Sequence, residues 1–210
     1  MQQIPTETGQ WFTARDGHRW WFDSGSLALD FAYTGAMGEN PAWETLHTPG
    51  DLADWLAGRF AGRFAGIDGT ATDRDLIDAK VLRGSIARIA TAVNRGSAAH
   101  SDDIDVINLF AATPDIPPAL AGGGRQAGRT RARAGQALSA MAREAIGLFE
   151  ADSLGRIREC SADDCALVFY DDSRSNNRRW CSMQRCGNRA KVRAHRARMT
   201  WSGAADQSLD

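Results

Sequence analysis

Four cysteines, and no others, stand close together near the C-terminal end of a 210-residue chain: Cys160, Cys165, Cys181 and Cys186. They form two C-x4-C pairs separated by fifteen residues. Two cysteine pairs on tight turns supply the tetrahedral thiolate set that zinc prefers. A metal bound this way stabilises a segment too small to have much core of its own. Two disulfides or four free thiols are the competing readings. Paired spacing in a chain without a recognisable secretion signal disfavours both. The x4 spacing is not that of a C-x-x-C redox pair. Four cysteines close the coordination shell, so the expected ion is one structural Zn2+, with no open position for chemistry.

The residues around the cysteines suggest how the unit folds. Ala166–Asp171 is apolar enough for a strand, and 171–177 is rich in turn formers. Arg178-Arg179-Trp180 reads as a returning strand, with Trp180 beside the metal. A helix then opens at Cys186, so the order is knuckle, hairpin, knuckle and helix, as in a treble clef.

The first 150 residues read as mainly helical. A short aromatic strand is expected over His18–Asp23, then a helix from Ser26, and a loop from 35 to 49. Leu52, Trp55, Leu56, Phe60 and Phe64 lie at helical spacing over 51–64. Thr72 caps a helix running to Asn94, and Ser101 caps another to Ala112. Asp73, Asp75, Asp102 and Asp103 sit in their first turns, where negative charge suits the helix dipole. A loop is expected over 113–124, an exposed strand or arm over 125–133, a helix over 136–150, and a strand over 154–158. The expected organisation is a mainly helical domain (1–152), a treble-clef-like finger (153–201) and a flexible tail (202–210).

Charge is divided between these parts. Ser173 to Thr200 holds nine basic residues and no acid, a local +9 in a chain whose formal net charge is −1. That asymmetry points to polyanion contact by one part of the molecule. The N-terminus lacks a basic start with an apolar run, and no window is apolar enough to span a bilayer. The expected location is cytoplasmic, with no membrane contact.

Several joined motifs resemble the CGNR zinc-finger family: Cys160-x4-Cys165, Phe169-Tyr170-Asp171, Arg178-Arg179-Trp180-Cys181-Ser182-Met183 and Cys186-Gly187-Asn188-Arg189-x-Lys191. In that family the finger follows an ABATE domain, and the proteins are regarded as stress-induced transcription regulators. Ser26-Leu27-Ala28-Leu29-Asp30-Phe31-Ala32-Tyr33-Thr34 resembles the opening motif of that domain, with Tyr33 where the family has Asn. The resemblance implies DNA binding.

On the last helix, Ala190, Ala194, Ala197 and Trp201 form a small apolar stripe. Arg189, Arg193 and Arg196 flank it on one side, and Lys191, His195 and Arg198 on the other. Arginine can bridge guanine O6 and N7 or grip a phosphate with two donors. The expected nucleic-acid contacts are therefore Arg178, Arg179, Arg189, Lys191, Arg193, Arg196 and Arg198. Asn188 is expected to cap backbone groups. The competing reading docks the basic helix on an acidic partner or on the acidic N-terminal domain. DNA is the expected partner and RNA is equally permitted by the arginines. A homodimer and a small-molecule ligand among the N-terminal aromatics are further candidates. Core packing explains Trp20, Trp21, Phe22, Trp43 and Trp55 as well as a ligand pocket does. His18, His47 and His100 show no metal-like spacing. No Ser-His-Asp set or phosphate-binding glycine loop is present, so no enzyme activity is expected.

Overall fold

The computed structural model describes residues 8–14, 17–35, 37, 43–60, 71–116 and 132–205, the last six of these as backbone only. Phe64, the glycine run at 122–124 and the basic arm up to residue 131 lie outside the described residues, as does the side chain of Trp201.

The chain opens with a hairpin of β1 (Gln10–Thr13) and β2 (Arg19–Phe22), in register Trp11↔Trp21 and Phe12↔Trp20. Alternation puts Phe12, Trp20 and Phe22 into the core and leaves Trp11 and Trp21 outside. Only β2 is expected from the sequence. The first strand has four residues and one inward position, too short for its period to stand out.

Five main helices follow. α1 (Leu27–Ala32) is capped by Ser26, whose hydroxyl accepts from Leu29 N. α2 (Pro49–Phe60) begins two residues earlier than its apolar spacing suggests. Proline suits a first helical position, and Thr48 and Asp51 exchange side-chain to backbone hydrogen bonds across its start. α3 (Asp73–Asn94) starts with a capping box between Thr72 and Asp75. α4 (Ser101–Ala112) is capped by His100, whose Nδ1 accepts from Asp102 N; Ser101 is already helical. α5 (Ala134–Phe149) buries Leu138, Met141, Ala145 and Leu148 on one face. α3 is the hub, with α1, α2, α4 and α5 packed on it. A single turn, α6 (Ala151–Leu154), leads out of this body.

The C-terminal unit begins with β3 (Ile157–Glu159), paired antiparallel with β4 (Val168–Tyr170). This corrects the expected hairpin, because residues 178–180 are irregular and form no strand. The partner of β4 precedes the first cysteine pair, so the hairpin closes around that knuckle. A π-helical turn (Met183–Gly187) then carries Cys186, and α7 (Asn188–Ala205) follows.

The two units share one core. Val168 and Phe169 are buried in the same cluster as Phe22, Leu29 and Ile86. Tyr33 O–H donates to Val168 O at 3.0 Å, and Val168 N donates back to the same phenol oxygen at 2.8 Å. Burial pushes that phenol well above its ordinary pKa, so it stays a neutral donor. Tyr170 N donates to Ser24 O at 2.8 Å. Gly25, at φ +74°, lies against Tyr170 O so closely that a Cβ there would collide with the carbonyl. Only glycine meets both demands cheaply.

Candidate metal centre

Each cysteine is placed by local backbone geometry. Cys160 leaves β3 with its N–H on Leu167 O, 2.9 Å away, and Cys165 N reaches Ala162 O at 3.0 Å, which closes the first knuckle. Cys181 N points at Cys160 Sγ from 3.4 Å. Gly187 N bonds Ser182 O and tightens the turn that holds Cys186. The four Sγ atoms lie within 4.8 Å of one another. Cys165 and Cys181 are 3.7 Å apart, and Cys181 and Cys186 are 3.5 Å apart. A tetrahedron with Zn–S bonds near 2.3 Å has edges of about 3.8 Å, so the donor set fits zinc in both type and spacing.

Mutual hydrogen bonding, first of all with Cys160, splits the thiols: Cys165 and Cys181 are pushed up, while Cys186 is pushed down. Four crowded sulfurs cannot all ionise against each other, and a divalent cation at their centre removes that conflict. Cys165 is half-buried and the other three are buried.

The surrounding residues explain the motif. A Cβ on Gly187 would lie 2.6 Å from Met183 Sδ and 3.3 Å from Trp180 Cδ1, so a larger residue there has to displace the half-exposed Met183 side chain. Trp180 thus packs beside the site as expected. Asn188 Nδ2 makes a long 3.5 Å contact with Gln184 O, a backbone role. Asp171 is fully buried and takes hydrogen bonds from Ser173 Oγ, from Arg178 N at 2.7 Å and from Ser173 N. Burial opposes its charge, yet these bonds hold its carboxyl below the usual carboxylate range.

The arginines divide. Arg178 is turned inward. Its Nε donates to Trp180 O, its Nη2 donates to Asp23 O and Cys181 O, and its guanidinium lies 4.2 Å from the Phe169 ring centre. Arg189 Nη2 donates to Cys186 Sγ at 3.3 Å, while the guanidinium grips both oxygens of Asp164 at 2.7 and 3.2 Å. The bond to Cys186 holds the Arg189 pKa above its ordinary value. Both residues, expected among the nucleic-acid contacts, therefore have structural partners. Arg193 makes only exposed 3.5 Å pairs with Asp163 and Asp164. Arg179, Lys191, Arg196 and Arg198 are exposed.

Sequence reasoning missed Asp164. The available signal was the Asp163-Asp164 pair inside the first knuckle of a unit that is otherwise so basic. It also missed Tyr33 as a tie to the finger. Residues 191–199 of α7 are all exposed, so none of these described side chains is buried against the N-terminal body. The expected apolar stripe is likewise uncovered at Ala194 and Ala197.

The family model for ABATE, described as "Putative stress-induced transcription regulator", matches residues 25–152, more than half of the chain. The chain belongs to the ABATE family. The CGNR zinc finger model matches residues 156–199, directly after the ABATE region. This ABATE protein thus carries a zinc-finger site whose four cysteines, Cys160, Cys165, Cys181 and Cys186, suit one structural Zn2+. No curated protein matches the ABATE chain. Among the described residues no helix is long and apolar enough to cross a membrane.

Proposed function

We propose that this chain is a DNA-binding transcription regulator whose zinc site fixes the root of α7 and whose α7 meets the DNA backbone. One observation carries the reading: an exposed helix, free of acidic residues over 188–200, leaves a metal-anchored turn and presents Lys191, Arg193, Arg196 and Arg198 to solvent. Arg179 adds a fifth exposed cation near the root. The pairs that hold Arg193 are exposed and long, worth about 0–1 kcal/mol, and yield readily to a phosphate. Arg178 and Arg189 drop out of the contact set and become structural supports. The N-terminal body is the sensing or dimerising part.

With five cations on phosphates, log K falls against log salt with a slope near −4.5, from about −0.9 per contact. Fluorescence anisotropy of the zinc-loaded protein with a random-sequence duplex and with a single-stranded RNA, at two salt concentrations, tests this. Salt-sensitive binding that prefers the duplex supports the reading, and no binding to either at low salt refutes it.

A second reading has its own observation. Val192 and Met199 stand exposed at 49% and 63%, seven residues apart and so on one face of α7, an apolar pair that a protein partner can cover. In that reading α7 docks on an acidic protein partner. Deleting the N-terminal domain does not separate the two, because Val168 and Phe169 would lose their shared core.

A further inference from the structure

We propose a second nucleic-acid contact, a cleft beside the zinc finger that stacks an unpaired base of a single strand. The inference rests on the nucleic-acid reading above. Apart from Arg179 it uses none of the cations of that reading, so Trp21 on one side and Lys191, Arg196 and Arg198 on the other let each fail separately.

The cleft lies where the N-terminal hairpin meets the finger. It has a volume of about 330 Å³ and is lined by Trp21, Asp23, Arg178, Arg179, Trp180, Cys181, Ser182 and Met183. Three of these suit a base. Trp21 is 40% exposed, large for an indole. Met183 is 49% exposed and offers a soft, polarisable wall. Arg179 is exposed, with its guanidinium 5.0 Å from the Trp180 ring centre, so a cation stands over an indole at the rim.

The hairpin continues the same surface. Trp11 is 58% exposed and meets Trp21 edge to face at 5.6 Å, and the Arg19 guanidinium lies 5.3 Å from the Trp11 ring centre. Two exposed indoles with two exposed arginines alongside them form a continuous aromatic and basic strip. The core does not need Trp11 or Trp21, because Phe12, Trp20 and Phe22 on the opposite face fill it. Ser182 and Met183 also lead directly into the π-turn and α7, so the strip begins at the root of the basic helix.

The charge of the strip selects the occupant. Exposed arginines disfavour a cationic ligand and favour an anionic one. Partly exposed indoles favour planar bases over an acidic peptide, because stacking accepts any base while phosphates take the guanidinium groups. A paired duplex keeps its bases stacked on one another, so the cleft discriminates for single strands.

The test uses zinc-loaded full-length protein with an oligodeoxythymidylate of about 16 nucleotides, free and paired with its complement. Anisotropy gives the affinities, and tryptophan emission reports stacking. We expect the single strand to quench emission. Trp21→Ala should weaken single-strand binding roughly 5- to 100-fold, while changing duplex binding less than about 2-fold. Arg179→Ser, a surface change, should also lower single-strand affinity, which guards against misfolding of the tryptophan variant. No single-strand binding, or unchanged affinity and quenching in both variants, overturns the cleft. If instead Lys191→Ala, Arg196→Ala and Arg198→Ala together leave duplex affinity unchanged while Trp21→Ala still acts, the α7 reading falls and the cleft stands.

Discussion

The knuckles of the finger and the helix that leaves them are both rich in arginine, and they use it in opposite ways. Around the metal, Arg156 donates to Asp171 O and Ser173 O, Arg158 to Asn176, Arg178 to three carbonyls, and Arg189 to a thiolate and Asp164. From Lys191 through Met199 every residue is exposed. A basic residue near the site substitutes for a hydrophobic core by tying irregular loops through their carbonyls. On the distal helix Arg193 makes long, exposed pairs with Asp163 and Asp164, and Lys191, Arg196 and Arg198 are exposed. Residue type alone therefore does not separate support from recognition. The difference comes from which carbonyls lie within reach.

The contrast breaks most visibly at the metal. Cys181→Ser, or removal of zinc by a chelator, should lower stability by more than about 4 kcal/mol, because metal binding supplies much of the finger's folding free energy. The shared core predicts that the N-terminal helices lose stability too, which thermal unfolding followed by far-UV circular dichroism will show. A finger that melts while the helical transition stays unmoved would separate the two units.

Next comes Arg178→Ala. It removes three hydrogen bonds and a ring contact and leaves carbonyls of both units unpaired, an expected cost of about 3 kcal/mol. Urea unfolding measures this. A loss below about 0.5 kcal/mol would return Arg178 to the recognition set. Arg189→Ala should lower zinc affinity about 10- to 100-fold in competition with a chromogenic chelator, as loss of a supporting hydrogen bond to a ligand does. Unchanged affinity would leave Arg189 as a surface cation.

The smallest effect concerns the N-terminal body. Glu144 caps α1, accepting from Ser26 Oγ, Leu27 N and Ala28 N. Burial raises its pKa from 4.5 to about 7 despite those bonds. The native state therefore holds a proton that the unfolded chain has released, so Glu144 favours folding less as pH rises from about 4.5 to 7. The Tm of the zinc-loaded protein relative to Glu144→Gln should fall across that window, and a flat difference would contradict the assignment.

Parts of this were legible in the sequence because they rest on local rules. Cysteine spacing gives the metal, the apolar periodicity of α5 gives its buried face, and Thr72 with Asp75 marks the start of α3. What was not legible depends on distant partners. Arg178 finds Asp23 O across 155 positions, and Tyr33 finds Val168 across 135. The hairpin of the finger was misassigned for a related reason. Residues 178–180 follow a turn and look like a return strand, but their backbone and the Arg178 side chain are held by Asp171, Ser161 and the metal loop. That left β3 to pair with β4.

The most direct measurement is the salt dependence of duplex binding by the zinc-loaded full chain, set against the Lys191→Ala, Arg196→Ala, Arg198→Ala variant. The account predicts a slope near −4.5 that flattens by about 2.7 units in the variant, at about 0.9 per lost phosphate contact, with Tm unchanged. Equal slopes for the two proteins, or no duplex binding at low salt, would contradict recognition through α7.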